Sequence, residues 1–374
     1  MISEKIGHSY DDLAIVPSKV SYVKSINDCH CTYSEPFKHL PIFASPMACA
    51  VSEDNYETFE ENMILPVIPR SVNWGDRISL MQKGKWVAMS LKEFETYFID
   101  NVDSTLTTYA GTCRVCIDIA NGHMIRLYDC CKAAKIKSED FNYKLVLMIG
   151  NIANPETYSY ICCCYGNWID YVRVGIGEGL DCTSIYYPQA TLIDECRKIK
   201  KEYSGVDVKI VADGDIRSCE DVAKALALGA DYVMIGSLFA QCIESAGTKF
   251  GKMSTRKEPM VAFPMHRYKN FEVNSNGEWF GYYEDDFIME SLLAWEKGTE
   301  EYDRRKASLN EKHYIGEMSV KATEGTVKLL PVKHTLKQWT DDMTHCLKTV
   351  MSYTRHTNLK GFIGGVNLIV SSFR

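Results

Sequence analysis

Nothing in the sequence stays apolar for the roughly 18 residues that a membrane-crossing helix needs. The opening MISEKIGHSYDD is too polar to serve as the apolar core of a secretory leader. Blocks of lysine and arginine are also missing, and 42 basic residues face 49 acidic ones for a net charge of −7. That balance argues against nucleic acid or an anionic membrane as the main partner, so an anionic ligand would need a local cationic or backbone N–H site. There is no paired C-x2-C set at zinc-finger spacing, no low-complexity segment and no internal repeat beyond a strand-helix unit. These absences together predict a cytoplasmic protein with no membrane and no nucleic-acid partner.

Cysteine, by contrast, is abundant: 15 residues, including the doublet Cys130-Cys131 and the triplet Cys162-Cys163-Cys164. They sit inside apolar or helical patterns of a chain that is neither short nor built like a disulfide scaffold. Most therefore read as small buried hydrophobes in a reducing compartment.

Short apolar runs recur at near-regular spacing: LPIFAS (40–45), ILPVIPR (64–70), WVAMSL (86–91), RVCIDIA (114–120), KLVLMIG (144–150), YVRVGIG (171–177), VKIVADG (208–214) and YVMIGSLF (232–239). Continuous apolar runs suit strands buried on both faces. The stretches between them, such as NPETYSYICCC, PQATLIDECRKIKKEY and SCEDVAKALALGA, carry helical periodicity. Eight such units predict an α/β protein with a closed parallel (β/α)8 TIM barrel of about 250 residues plus extensions, with an open doubly wound sheet as the alternative. The whole chain, 1–374, reads as one barrel domain. An irregular insertion or active-site flap is expected at about 248–320, and HTLKQWTDDMTHCLKTVMSYT should form a closing amphipathic helix.

Chemistry in such a barrel sits on the loops after the strands. Those tails hold Asp118, Asn121, Asn151, Asp213-Gly214, Gly236-Ser237 and the turn Gly175-Ile176-Gly177-Glu178-Gly179 leading to Cys182. The glycines either close tight turns or let backbone N–H groups approach a ligand, and the tails after strands 7 and 8 are where barrels commonly hold phosphate. A thiol among peptide dipoles on an open loop can be held as the attacking thiolate, so Cys182 is the candidate nucleophile.

RVGIGEGLDCTS, ending at Ser184, resembles the nucleophile loop of the IMP dehydrogenase/GMP reductase family and lies after the same strand. YDDLAIVPSKV, LPIFASPM, IDIANGH, LMIGNIANPE, VADGDIRSCEDVAKALALGADYVMIGSLFA, IMESLLAWEKGTEEY and ATEG follow in family order. The resemblance implies that Cys182 attacks C2 of a purine nucleoside monophosphate, with hydride exchanged with NADPH, or with NAD in a dehydrogenase. Thr183, Ser184 and Glu324 would relay protons. Asp213, Gly214, Gly236, Ser237, Met289, Ser291 and Gly325 would hold the nucleotide, and Asp118, Ala120, Asn121, Gly122 and Asn151 would meet the nicotinamide cofactor. Gly177, Gly179 and Cys182 match carbonyls that bind a monovalent cation such as K+ in dehydrogenase members, and the family implies a homo-tetramer.

The dehydrogenases usually insert a regulatory domain after the second strand, which this sequence lacks, and IDIANGH is closer to the reductase form of its loop. Where the dehydrogenase flap carries an Arg-Tyr pair, this chain reads Glu301-Tyr302. The resemblance therefore favours GMP reductase, leaving IMP dehydrogenase, an enzyme of a related purine nucleotide, and a non-catalytic nucleotide-binding paralogue as alternatives. Departures from the family fall at Leu180, where a phosphate-contacting serine is usual, at Asp181, in a shortened loop after Cys182, and at Arg70 after strand 2.

Overall fold

The computed structural model describes residues 6–100, 111–176, 185–247, 249–250, 280–281 and 330–371. Eight parallel strands close into a barrel in chain order. They are β1 (Ile42–Ala44), β2 (Leu65–Ile68), β3 (Trp86–Met89), β4 (Thr112–Asp118), β5 (Lys144–Ile152), β6 (Tyr171–Val174), β7 (Lys209–Asp213) and β8 (Tyr232–Ile235). Closure is made by β1 and β8, with Ile42 opposite Val233 and Ala44 opposite Ile235. Each of the eight apolar runs in the sequence coincides with one strand, β4 starting two residues before its run and β5 ending two residues after it, and the open-sheet alternative falls.

The alternation along each strand sorts side chains into two cores. Cys113, Val115 and Ile117 of β4 point outward to the helices, as do Leu145, Leu147 and Ile149 of β5 and Val172 and Val174 of β6. Phe43, Val67, Trp86, Ala88, Cys116, Met148, Val211, Tyr232 and Met234 fill the barrel itself. Its N-terminal end is plugged by rings in edge contact: Phe43 with Trp86 at 5.5 Å, Trp86 with Tyr171 at 5.5 Å, and Tyr171 with Tyr232 at 5.6 Å. Each large apolar side chain buried this way contributes roughly 1.5–3 kcal/mol. The plug leaves the opposite, C-terminal end for polar groups.

Helices α1 (Tyr56–Glu61), α2 (Trp74–Gln82), α3 (Leu91–Glu95), α4 (Ile125–Asp140), α5 (Pro155–Tyr165), α6 (Gln189–Glu202) and α7 (Cys219–Leu228) follow the first seven strands. Local sequence sets their ends. Asn154 caps α5 by accepting from the Glu156 N–H, with Pro155 placed where no intrahelical donor is needed. Ser218 caps α7, which stops at Gly229 with φ +121°. After β8 come the single turn α8 (Ser237–Ala240) and then α9 (Leu336–Tyr353), the closing helix expected from its periodicity. Thr335 and Gln338 form a reciprocal capping box at the start of α9, and Trp339 packs edge-on against Phe239 at 4.7 Å.

Two small sheets go beyond the strands legible in the sequence. Leu13–Ile15 runs antiparallel to Leu368–Val370. Lys249–Phe250, Phe280–Gly281 and Leu330–Pro331 form a three-stranded antiparallel sheet. Segments of two or three residues are too short to show a period of two, so periodicity could not reveal them. Most of the expected flap at 248–320 lies outside the described residues. Fourteen cysteines are described, all with free thiols, and ten of them are buried, as their apolar settings implied. No helix among the described residues is long and apolar enough to cross a membrane.

Candidate active site

Because all eight strands are parallel, their C-terminal ends share one face, and four polar side chains converge there from β4 to β7. The centre is Arg173. In β6, outward Val172 and Val174 alternate with inward Tyr171 and Arg173, which places a guanidinium inside the barrel with 8% of its side chain exposed. Its Nη1 donates to Asp118 Oδ1 at 2.5 Å and its Nε to Asp213 Oδ2 at 2.8 Å. Burial alone would favour losing the proton, but Asp213 and Asp118 outweigh it and hold the group cationic well above the ordinary arginine range. Arg70, half-exposed after β2, places its Nε 3.7 Å from the other oxygen of Asp118. Two cations thus face two carboxylates across the barrel mouth.

Asn151 completes the cluster. Its Nδ2 donates to Asp213 Oδ2 at 2.8 Å and to the carbonyl of Gly175 at 2.7 Å. Gln189, almost fully buried at the start of α6, donates from Nε2 to the carbonyls of Val174 at 2.8 Å and Asp213 at 3.3 Å. The exit of β6 is therefore pinned from both sides. Gly175 is required there: its φ is +121°, and a Cβ would stand 2.2 Å from the Asp213 carbonyl oxygen. The turn so fixed leads directly to residues 177–184, which contain Cys182.

Of the residues singled out in the sequence, Asp118, Asn151 and Asp213 are brought into one hydrogen-bonded group. Ala120 and Asn121 are exposed on the loop after β4, where Asn121 Oδ1 accepts from the His123 N–H at 3.1 Å. Gly122 is buried: its N–H donates to the Asn151 carbonyl at 2.8 Å, and the Tyr128 hydroxyl donates to its own carbonyl at 2.6 Å. A Cβ on Gly122 would lie 2.6 Å from the Asn151 oxygen, so this glycine serves the close approach of the loop after β4 to the end of β5. Gly214, with φ +108°, and Gly236-Ser237 line the same face after β7 and β8. Gly177, Gly179, Cys182, Thr183, Ser184, Met289, Ser291, Glu324 and Gly325 lie outside the described residues, as do Leu180 and Asp181.

Three side chains that hold this face together escaped the reading of the sequence. Arg173 had a signal, a lone charge within the apolar run YVRV at the parity of inward Tyr171. Gln189 and His123 had none, because their contacts are with groups distant in the sequence. A second thiol, Cys116, receives Arg173 Nη1 at 3.7 Å, but burial pushes its pKa up to about 12, so it stays protonated and unreactive. Among the described residues no group of three side chains suits a metal ion.

A model of the IMP dehydrogenase / GMP reductase domain matches residues 100–260, which run from just before β4 past β8. The chain is 30% identical over 254 residues to a GMP reductase of Lactobacillus delbrueckii, covering 64% of this chain and 71% of that protein. A GMP reductase of Staphylococcus saprophyticus is 29% identical over 256 residues, 72% of its length. An inosine-5'-monophosphate dehydrogenase of Chlorobaculum parvum is 38% identical over 143 residues, and the match spans only 27% of that protein. The domain match falls on the strands that carry the polar cluster, and most of the Lactobacillus reductase is covered at 30% identity, so the chain belongs to the IMP dehydrogenase/GMP reductase family.

Proposed function

We propose that the chain is a purine-nucleotide oxidoreductase that works as a GMP reductase, converting GMP, NADPH and a proton to IMP, ammonia and NADP. The observation that carries the reading is the cluster of Asp118, Asn151, Arg173 and Asp213 at the mouth of the barrel, placed where the pinned exit of β6 delivers the chain to Cys182. The similarity to two reductases over 64% of the chain favours this direction over the dehydrogenase, whose match is confined to 37%.

In this reading the Cys182 thiolate adds to purine C2, the carbon between two ring nitrogens, where charge can be accepted if the ring is hydrogen-bonded. The 2-amino group leaves as ammonia after taking a proton, for which Glu324 with Thr183 or Ser184 forms the relay. NADPH supplies a hydride to C2, and the carbon–sulfur bond breaks to regenerate the thiolate. Asp213 has the chemistry to accept a ribose hydroxyl, with Gly214, Gly236 and Ser237 offering backbone N–H groups toward the phosphate. Asp118 suits the nicotinamide side: Arg173 and Arg70 keep its carboxylate partly neutralised, so that it can accept from a carboxamide or ribose hydroxyl without repelling an anionic cofactor.

The test is NADPH absorbance on mixing the protein with GMP, run beside IMP with NAD. NADPH loss with ammonia and IMP appearing is the expected result. NADH gain from IMP would move the assignment to the dehydrogenase, and silence in both would overturn the reading.

A further inference from the structure

The loop after β4 is fastened to the end of β5 and to the loop beyond it by a series of bonds. The Asn151 N–H donates to the Ile119 carbonyl at 3.0 Å, the Ile119 N–H to the Gly150 carbonyl at 3.3 Å and the Gly122 N–H to the Asn151 carbonyl at 2.8 Å. His123 makes the outermost link and the one through a side chain. Its Nε2 lies 3.2 Å from the Ala153 amide nitrogen, and its Nδ1 lies 2.8 Å from Thr157 Oγ1 at the start of α5.

These contacts fix the protonation of the ring. A backbone amide can only donate, so Nε2 must present its lone pair to Ala153. The ring proton then sits on Nδ1 and is donated to Thr157 Oγ1. A second proton would set N–H against N–H, and burial of the ring also disfavours the charged form. One side of the link carries Asp118, Ala120 and Asn121. The other is two residues from Asn151, whose amide holds Asp213.

We propose that His123, as the neutral Nδ1–H tautomer, is a positioning residue that sets the affinity of the loop after β4 for the nicotinamide cofactor by clamping it to the exit of β5. The assignment rests on the function proposed above. It predicts a split between the two substrates, because the clamped loop belongs to the cofactor side while Asp213 keeps its bonds to Arg173 and Asn151 without it.

The experiment compares His123→Phe, which fills the space without an acceptor, and His123→Gln, whose Oε1 can reach the Nε2 position and accept from Ala153. Losing one such bond predicts that His123→Phe raises the KM for NADPH about tenfold, leaves the KM for GMP within about twofold, and that His123→Gln recovers most of the loss. Thr157→Val removes only the acceptor for Nδ1–H and should move the NADPH KM in the same direction by less; it decides the matter if His123→Phe does not fold. An unchanged NADPH KM in His123→Phe, or both KM values rising together without rescue by Gln, overturns the proposal. If the wild-type chain turns over neither nucleotide, the proposed function fails, and the same contrast is read from the NADPH dissociation constant by fluorescence titration. There, equal binding by wild type and His123→Phe, or no binding by either, overturns the clamp.

Discussion

Replacing Arg173 by Met removes a cation while keeping most of the side-chain volume, and the structure sets the size of the effect. Asp213 and Asp118 expose 14% and 24% of their side chains, and both lose their shortest charged partner. Removing one member of a buried ion pair typically costs about 3–5 kcal/mol, chiefly by leaving the other charge poorly solvated. Asp213 would still receive Asn151 at 2.8 Å and Asp118 would still face half-exposed Arg70 at 3.7 Å, so the lower end, about 3 kcal/mol, is expected. Urea unfolding followed by tryptophan fluorescence measures it. The triple variant Arg173→Met, Asp118→Asn, Asp213→Asn should recover more than half of the loss, because no carboxylate is left stranded in the barrel mouth and the remaining Arg70 is half-exposed to solvent. Arg173→Lys should recover less, since an ammonium is a single point charge that cannot fork to two carboxylates at this spacing. A cost below about 1 kcal/mol for Arg173→Met, or a triple variant no more stable than the single one, would refute the reasoning.

Other substitutions test other links. Gly175→Ala must place a methyl group 2.2 Å from the Asp213 carbonyl at φ +121°, and is expected to destabilise the fold and lower turnover at least tenfold; Gly205→Ala, where a Cβ meets nothing within 4 Å, is the neutral control. Thr335→Ala breaks the capping box of α9 and should cost about 1 kcal/mol by urea titration, with the kinetic constants unchanged. Burial holds His39, His123, His334 and His356 below the ordinary histidine pKa. The unfolded chain therefore takes up protons first as pH falls below about 6.5, and the urea midpoint should be lower at pH 5.5 than at pH 7.5; an equal or higher midpoint would contradict the assignment.

The architecture was legible because a parallel barrel writes itself as repeated short apolar runs, and each run overlaps its strand. Asp118, Asn151 and Asp213 were legible for a related reason: they are polar residues at the ends of those runs, and in a parallel barrel all such ends meet on one face. Arg173 was harder, since hydropathy marks a charge inside a strand as an irregularity, and its meaning depends on two carboxylates 55 and 40 residues away. Gln189 binds backbone groups that any sequence would supply, and His123 binds one such amide and a threonine 34 residues away, so no local pattern of residue types could point to them. Gly122 has a second role that its residue type alone does not announce: the absence of its side chain lets the loop after β4 touch the end of β5.

The small sheet beyond β8 has a consequence for how the chain is partitioned. Lys249–Phe250 pairs with Phe280–Gly281, which pairs with Leu330–Pro331. Below it, the Lys333 N–H donates to the Gln241 carbonyl at 3.0 Å and the Ile243 N–H to the His334 carbonyl at 3.1 Å. These bonds make a stem through which the chain departs from the barrel and re-enters it beside its point of departure. A closure of this kind grows costlier only with the logarithm of the length enclosed. The stem thus works as a socket: the barrel senses the spacing of its two contacts, and the number of residues between them is free to vary without disturbing the ring of strands.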